Sequence, residues 1–171
     1  MKTIPTKINK YNVYNQGNRL LGTGDEVTLP SFEASSETVS GAGVLGEFDD
    51  PTVGYFSNME LEIPFRVLDQ EAVDMLDQTK AVQLELRGAE QTTNASGDIE
   101  FRPMRVVVRG RMAGFDPGKV KAGNGMETSV KLTILYILIE LEDKPMVELD
   151  KINEVFKIRG VDVLAKIKEM C

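Results

Sequence analysis

The sequence predicts a mainly β (α+β) domain, an antiparallel sheet with two short helices and two long projecting connections. Three observations predict it. Met59 to Phe65 alternates strictly, with Met59, Leu61, Ile63 and Phe65 on one face and Glu60 and Glu62 on the other. Val82, Leu84 and Leu86 repeat the pattern against Gln83, Glu85 and Arg87. Val130 to Leu141 is apolar at nine of twelve positions, yet falls short of the roughly 20 residues a bilayer-spanning helix needs. Strands with one apolar and one charged face suit a sheet whose second face meets water. At 171 residues the chain is read as one domain, 1–171, with a core of its own.

In chain order, KINKYNVYNQGNRLLG reads as a hairpin around Asn15 to Asn18, and EVTLP as a strand closed by Pro30. Ser31 to Gly54 carries no core pattern; so long a connection is normally functional or disordered. After the strand Met59–Phe65, DQEAVDMLDQTK predicts a short helix capped by Asp69. Leu68 and Val73 form its hydrophobic staple, and Val73 and Leu76 its sheet-facing stripe. Gly88 to Asp98 is a loop on composition. Val106 and Val108 then mark a strand, opposite Arg105, Val107, Arg109 and Arg111. Gly114 to Gly125 is a second glycine-rich connection. It leads into the long apolar strand, which is expected to be buried on both faces over its second half. EDKP turns the chain into one further strand, MVELDKINEVFKI. A closing helix, VDVLAKIKEM, places Val163, Leu164, Ile167 and Met170 on one face.

Chemistry is largely excluded. The chain has no histidine, and its single cysteine is the last residue, Cys171. Imidazole-based triads, zinc clusters and internal disulfides are therefore out of reach, and a reducing compartment fits. A net charge of −7 gives no basic footprint for nucleic acid. The N-terminus lacks the apolar run of a secretory signal. GAGVLG, Gly41 to Gly46, spells G-x-G-x-x-G, but a polar serine-rich stretch precedes it and EFDDP follows, with neither strand nor helix to hold a pyrophosphate. EFDDP also lacks the spacing of a calcium loop. Glu60 and Glu62 read as a charged surface rather than a catalytic pair. Arg102, Arg105, Arg109 and Arg111, with Lys119 and Lys121, form a local basic cluster. It has three readings: a phosphate or acidic-partner patch, cross-strand pairs with Glu60, Glu62 or Glu85, or contacts to acids on a neighbouring copy. Long β-prone strands with open edges also suit a subunit that pairs edges with identical copies in a closed ring.

Three blocks carry a resemblance. YNVYNQGNRLLGTGDEVTLPSFE leads into a polar arm with GAGVLG about ten residues beyond the proline. RGRMAGFDPGKVKAGNGMETSVKLTILYILIEL holds R-G-R, D-P-G, K-A-G and E-T-x-V blocks before a long strand. VELDKINEVFKIRGVDVLAKIKEM closes the chain. In order and spacing the chain resembles the tail tube protein family of contractile-tailed bacteriophages and R-type bacteriocins. It departs from the family pattern in a short helical tail ending at Cys171 and in the acidic EFDD.

The resemblance implies a sandwich- or barrel-like tail tube fold, not an enzyme and without cofactor. Six copies would form a ring with a continuous inner barrel, and rings would stack into a hollow conduit for DNA in a phage or ions in a bacteriocin. Implied partners are further copies, the sheath, baseplate and tail terminator proteins, the tape measure protein during assembly, and passing DNA that is not specifically bound. Implied location is the tail or bacteriocin particle, assembled in the host cytoplasm. Related readings are the tube of a type VI secretion or extracellular contractile system; a different class is a β-sandwich binding module. Mapped onto that family, Glu60, Glu62, Gln83, Glu85 and Lys131 are expected to line an acidic lumen. The arm, 31–54, is expected to be disordered alone and to order on neighbours through Gly41, Gly43, Val44, Leu45 and Phe48. Phe115 and Lys119, with Arg109 and Arg111, are the other inter-subunit candidates.

Overall fold

The structure, a computed structural model, describes residues 3–171. Its strands are β1 (Ile4–Asn15), β2 (Asn18–Arg19), β3 (Ala34–Ser40), β4 (Glu47–Phe56), β5 (Glu60–Phe65), β6 (Val82–Thr93), β7 (Ile99–Asp116), β8 (Thr128–Leu141), β9 (Lys144–Asp150), β10 (Val155–Ile158) and β11 (Val161–Asp162). Two helices, α1 (Gln70–Asp74) and α2 (Ala165–Met170), complete it. The antiparallel sheet runs β11-β10-β9-β8-β7-β6-β1-β2, and β3 and β4 stand apart as a two-stranded sheet. β5 pairs with the first half of β8 and β9 with the second, so these two lie end to end along one edge of β8.

The predicted alternation builds the core. Leu61 and Ile63 of β5, Leu84 of β6, Val106 and Val108 of β7, and Val130, Leu132 and Ile134 of β8 are buried together. Residues 22–28 return along the free edge of β5. Gly24 N–H donates to the Pro64 carbonyl at 2.8 Å and Arg66 N–H to that of Gly22 at 2.9 Å, curling the sheet toward a barrel. The expected EVTLP strand contributes only the Thr28–Glu62 bridge, because Pro30 removes a donor and the partner strand is short. The hairpin at Asn15 to Asn18 forms as expected, with Gln16 and Gly17 both at positive φ in its two-residue turn.

Other expectations are corrected. The loop predicted over Gly88 to Asp98 is strand as far as Thr93. There β6 has β1 on one side and β7 on the other, and two neighbours offer a ladder that polar residues accept. Asp69 does cap α1, accepting from Gln70 N–H at 2.7 Å. The inward residues, however, are Ala72 and Met75, while Val73 is exposed; a single helical turn has room for one inward pair. MVELDKINEVFKI is two strands, because the Asp150 carboxylate accepts from Ile152 and Asn153 N–H at 3.0 Å and closes a turn between them. The second half of β8 is fully buried only at Ile137. Leu138 is half-buried because charged rows rather than a second layer cover its face, while Ile139 and Leu141, on the core face, are half-buried beyond the end of β5. α2 buries no residue, and Ile167 and Met170 stand exposed.

β7 is long enough to bend, and Gly110 sits where it does. A Cβ at Gly110 would fall on the backbone carbonyl of Thr133 beside the bulge between β7 and β8. Gly110→Ala is expected to cost about 2–3 kcal/mol, read as a lower urea midpoint at unchanged slope. Leu45→Ala, at a fully exposed site, should leave the midpoint in place.

Candidate assembly surfaces

The back of the sheet, opposite the core, is a charged face built by register. One row runs Gln83, Arg109, Tyr136, Asp150; the next runs Tyr14, Glu85, Val107, Leu138, Glu148; a third runs Asn12, Arg87, Arg105, Glu140. Nearer β5, Glu60 lies across from Thr133 and Arg111, and Glu62 across from Lys131 and Gly114. Glu60, Glu62, Gln83, Glu85 and Lys131 therefore do share one face. Arg109 and Arg111, expected at contacts between copies, lie on it too. The face is not acidic, because the alternation of β7 sets its arginines among the carboxylates of β6, β8 and β9.

Most of these charges are paired; among the described residues Arg111 and Glu62 are not. Arg105 Nε donates to Glu85 Oε1 at 2.6 Å and its Nη1 to Glu140 Oε2 at 2.7 Å, while Arg87 Nε reaches Glu85 Oε1 at 2.6 Å. Hydrogen bonds from Arg87 and then Arg105 hold the Glu85 carboxyl below the ordinary glutamate value. Arg109 lies 3.3 Å from Asp150 and 4.9 Å above the Tyr136 ring. Burial and the neighbouring Glu148 push the Tyr136 phenol up to about 12, so it stays neutral and donates to Glu148 at 3.2 Å. Lys131 approaches Glu60 at 3.8 Å. Elsewhere, Arg102 grips Glu90 with two bonds at 2.8 and 2.9 Å. Of the three readings of the basic cluster, pairing within the sheet accounts for Arg102, Arg105 and Arg109. Of the expected partners only Glu85 is used, by Arg105; Arg102 meets Glu90 and Arg109 meets Asp150. Among the described residues Arg111, Lys119 and Lys121 make no ion pair.

The arm is regular. The segment expected to lack structure is the β3–β4 hairpin, and GAGVLG is its tip, with positive φ at Gly41, Gly43 and Gly46. The tip joins two antiparallel strands and opens no helix, which disposes of the nucleotide spelling. Its root is anchored: Phe56 stacks edge-on with Phe32 at 5.6 Å and Phe156 at 5.1 Å, and Lys151 Nζ donates to the Ser57 carbonyl at 2.8 Å. Gly54 at positive φ lets Leu164 close against β4. Beyond the root no other strand or helix among the described residues covers it. Leu45 is fully exposed and Phe48 half-exposed, while Val44 is half-buried. Residues 31–56 hold five carboxylates and no base, and Glu37 lies directly across from Asp50, a repulsive pairing. That row went unread in the sequence, since it depends on the hairpin register.

The connection after β7 is held firmly. Lys119 N–H donates to Met126 O at 2.7 Å, Met126 N–H to Arg66 O at 2.6 Å, and Thr128 Oγ1 to Pro117 O at 3.1 Å. Phe115, expected to reach a neighbour, is half-buried and packs on its own core across from Val130. Lys119, Val120 and Lys121 are left projecting.

The chain is similar to known proteins over nearly its whole length. A family model described as phage tail tube protein FII matches residues 5–170. A tail tube protein of Escherichia phage P2 is 29% identical over 171 residues, covering 94% of each chain. A major tail tube protein of Serratia phage KSP20 is 24% identical over 157 residues, covering 92% of this chain and 90% of that protein.

The ion pairs set a pH window. Glu85 and Glu90 have lowered values when folded, from hydrogen bonds donated by Arg87 and Arg102 respectively. Their stabilisation is complete above the ordinary glutamate value of 4.5 and is lost as pH falls through the lowered folded values. Thermal unfolding should vary little with Glu85 protonation from neutral pH to about 5 and drop below that. Glu85→Gln should flatten the acid limb; an equally steep limb in the variant contradicts the pairing.

Proposed function

This chain belongs to the phage tail tube protein FII family, structural proteins of the virion rather than enzymes, and we propose that it builds the inner tube of a contractile tail. Copies close into a hexameric ring, and rings stack into a hollow conduit. The observation that carries this reading is the arm, a seven-residue strand paired with a ten-residue one and joined to the body only at its root. An isolated hairpin is marginal in water, and one ending in an exposed leucine and phenylalanine suits a surface supplied by another subunit.

The sheet supports the same reading. β1 is paired on one side along Ile4–Asn12 and open on the other, and β10 has only the two-residue β11 beyond it. Open edges of this kind suit edge pairing between copies. The charged face would then turn inward, with Glu60, Glu62, Gln83, Glu85 and Lys131 toward the channel. Arg87, Arg105 and Arg109, already held by carboxylates, have little left to offer a phosphate. Of the arginines that β6 and β7 place on this face, Arg111 alone makes no ion pair among the described residues, so DNA would slide rather than stick. In a bacteriocin particle the same wall would pass ions. Sheath, baseplate, terminator and tape measure proteins are the partners such a tube requires.

Deleting Gly41–Phe48 tests the arm. The expected product keeps its circular dichroism and forms no long tubes in negative-stain electron microscopy. Tubes of wild-type length from the deletion would refute the role given to the arm.

A further inference from the structure

Resting on the reading of the chain as a self-assembling tube subunit, we infer that the arm of one copy docks on the Lys119-Val120-Lys121 loop of a second copy. Each surface lacks in its own chain what the other offers. On one face of the hairpin, Val39 pairs with Phe48 and Glu37 with Asp50 in adjacent same-side rows. That face is apolar next to unrelieved like charge. No base lies within 4.0 Å of any arm carboxylate among the described residues. The loop presents the complement: Val120 is 89% exposed between two lysines that make no ion pair among the described residues.

The loop is also built to present them. Gly118 is at positive φ, and a Cβ there would fall on the Met126 carbonyl, so the turn closes tightly beneath the lysines. A surface already fixed in place loses little entropy on docking. Among the described residues other bases also make no ion pair. Lys7 and Lys10 lie on β1 beside the exposed Ile8, Arg19 lies on the two-residue β2 and Arg159 in a turn. Arg111 lies on the charged face, Lys144 follows Glu142 and Asp143, and Lys166 is three residues from Glu169. Only Lys119 and Lys121 project on a loop closed beneath them.

Within one chain the arm and the loop do not meet, since Val120 stays 89% exposed and Glu37 and Asp50 stay exposed, so the contact is intermolecular. The arm leaves the body just before β5, and the loop is tied to Arg66 just after it. Six residues of extended strand separate them, roughly 20 Å. Two different surfaces that fit each other form a heterologous contact, and one that does not close propagates as a filament. The loop thereby becomes the receptor that repeats the arm's contact along the tube.

A charge swap tests this. Glu37→Lys with Asp50→Lys, and separately Lys119→Glu with Lys121→Glu, alter exposed side chains, and circular dichroism should stay unchanged. Each pair should cut the tube recovered by pelleting at low ionic strength at least about tenfold, and the chain carrying all four substitutions should recover it. Reversals that leave tubes intact overturn the pairing while the assembly reading stands. Loss in both with no recovery in the fourfold variant also overturns it. A wild type that builds no tube at any concentration overturns the assembly reading and the pairing with it.

Discussion

Arg105 sits at the centre of the sheet's back face, held by Glu85 on one side and Glu140 on the other. Its backbone belongs to the strand that also carries Val106 and Val108 into the core. Strand alternation forces both facts at once: the strand that turns Val106 and Val108 inward turns Arg105, Val107 and Arg109 to the back. A sheet of this kind has one apolar face and one charged face, and the charged one closes over Val107 by long arginine and glutamate stems. That leaves no site for a second layer. Half-exposed ion pairs contribute little individually, about 0.2–1 kcal/mol, so their effect is on what the face excludes. Its paired arginines leave little free charge for an anion, and its charged surface offers no seat for a hydrophobic lid.

The same constraint explains what projects. With one apolar face consumed by β5, α1 and the sheet's own curl, the chain has no core left to cover β3 and β4 or α2. The arm is therefore anchored by a small aromatic group, Phe32, Phe56 and Phe156, and by Lys151 on the carbonyls of Phe56 and Ser57. Everything beyond is held by its own ladder. Subunits in a chain of identical copies can leave such elements bare, because each neighbour supplies the missing surface.

Strict alternation made the inner strands legible. Leu61, Ile63, Leu84, Val106 and Val108 are buried as their spacing requires, and Asp69 caps as its position suggests. What stayed hidden depends on partners distant in sequence. Gly88 to Thr93 looks like a loop until β1 and β7 flank it. EVTLP looks like a strand but meets too short a partner. The arm's composition resembles a structureless linker, yet its strands pair because glycines with positive φ allow the reversal. The lumen candidates fell on one face, since period two needs no tertiary knowledge. The same period turns Arg105, Arg109 and Arg111 onto that face, and only register shows which carboxylates they meet there.

An electron cryo-microscopy reconstruction of the concentrated protein tests the central claim, that copies assemble with the charged face inward. The expected result is a hollow tube with Glu60, Glu62, Gln83, Glu85 and Lys131 toward the channel and Leu84 and Val108 buried away from it. A protein that remains a monomer, or a tube walled by other residues, would contradict it.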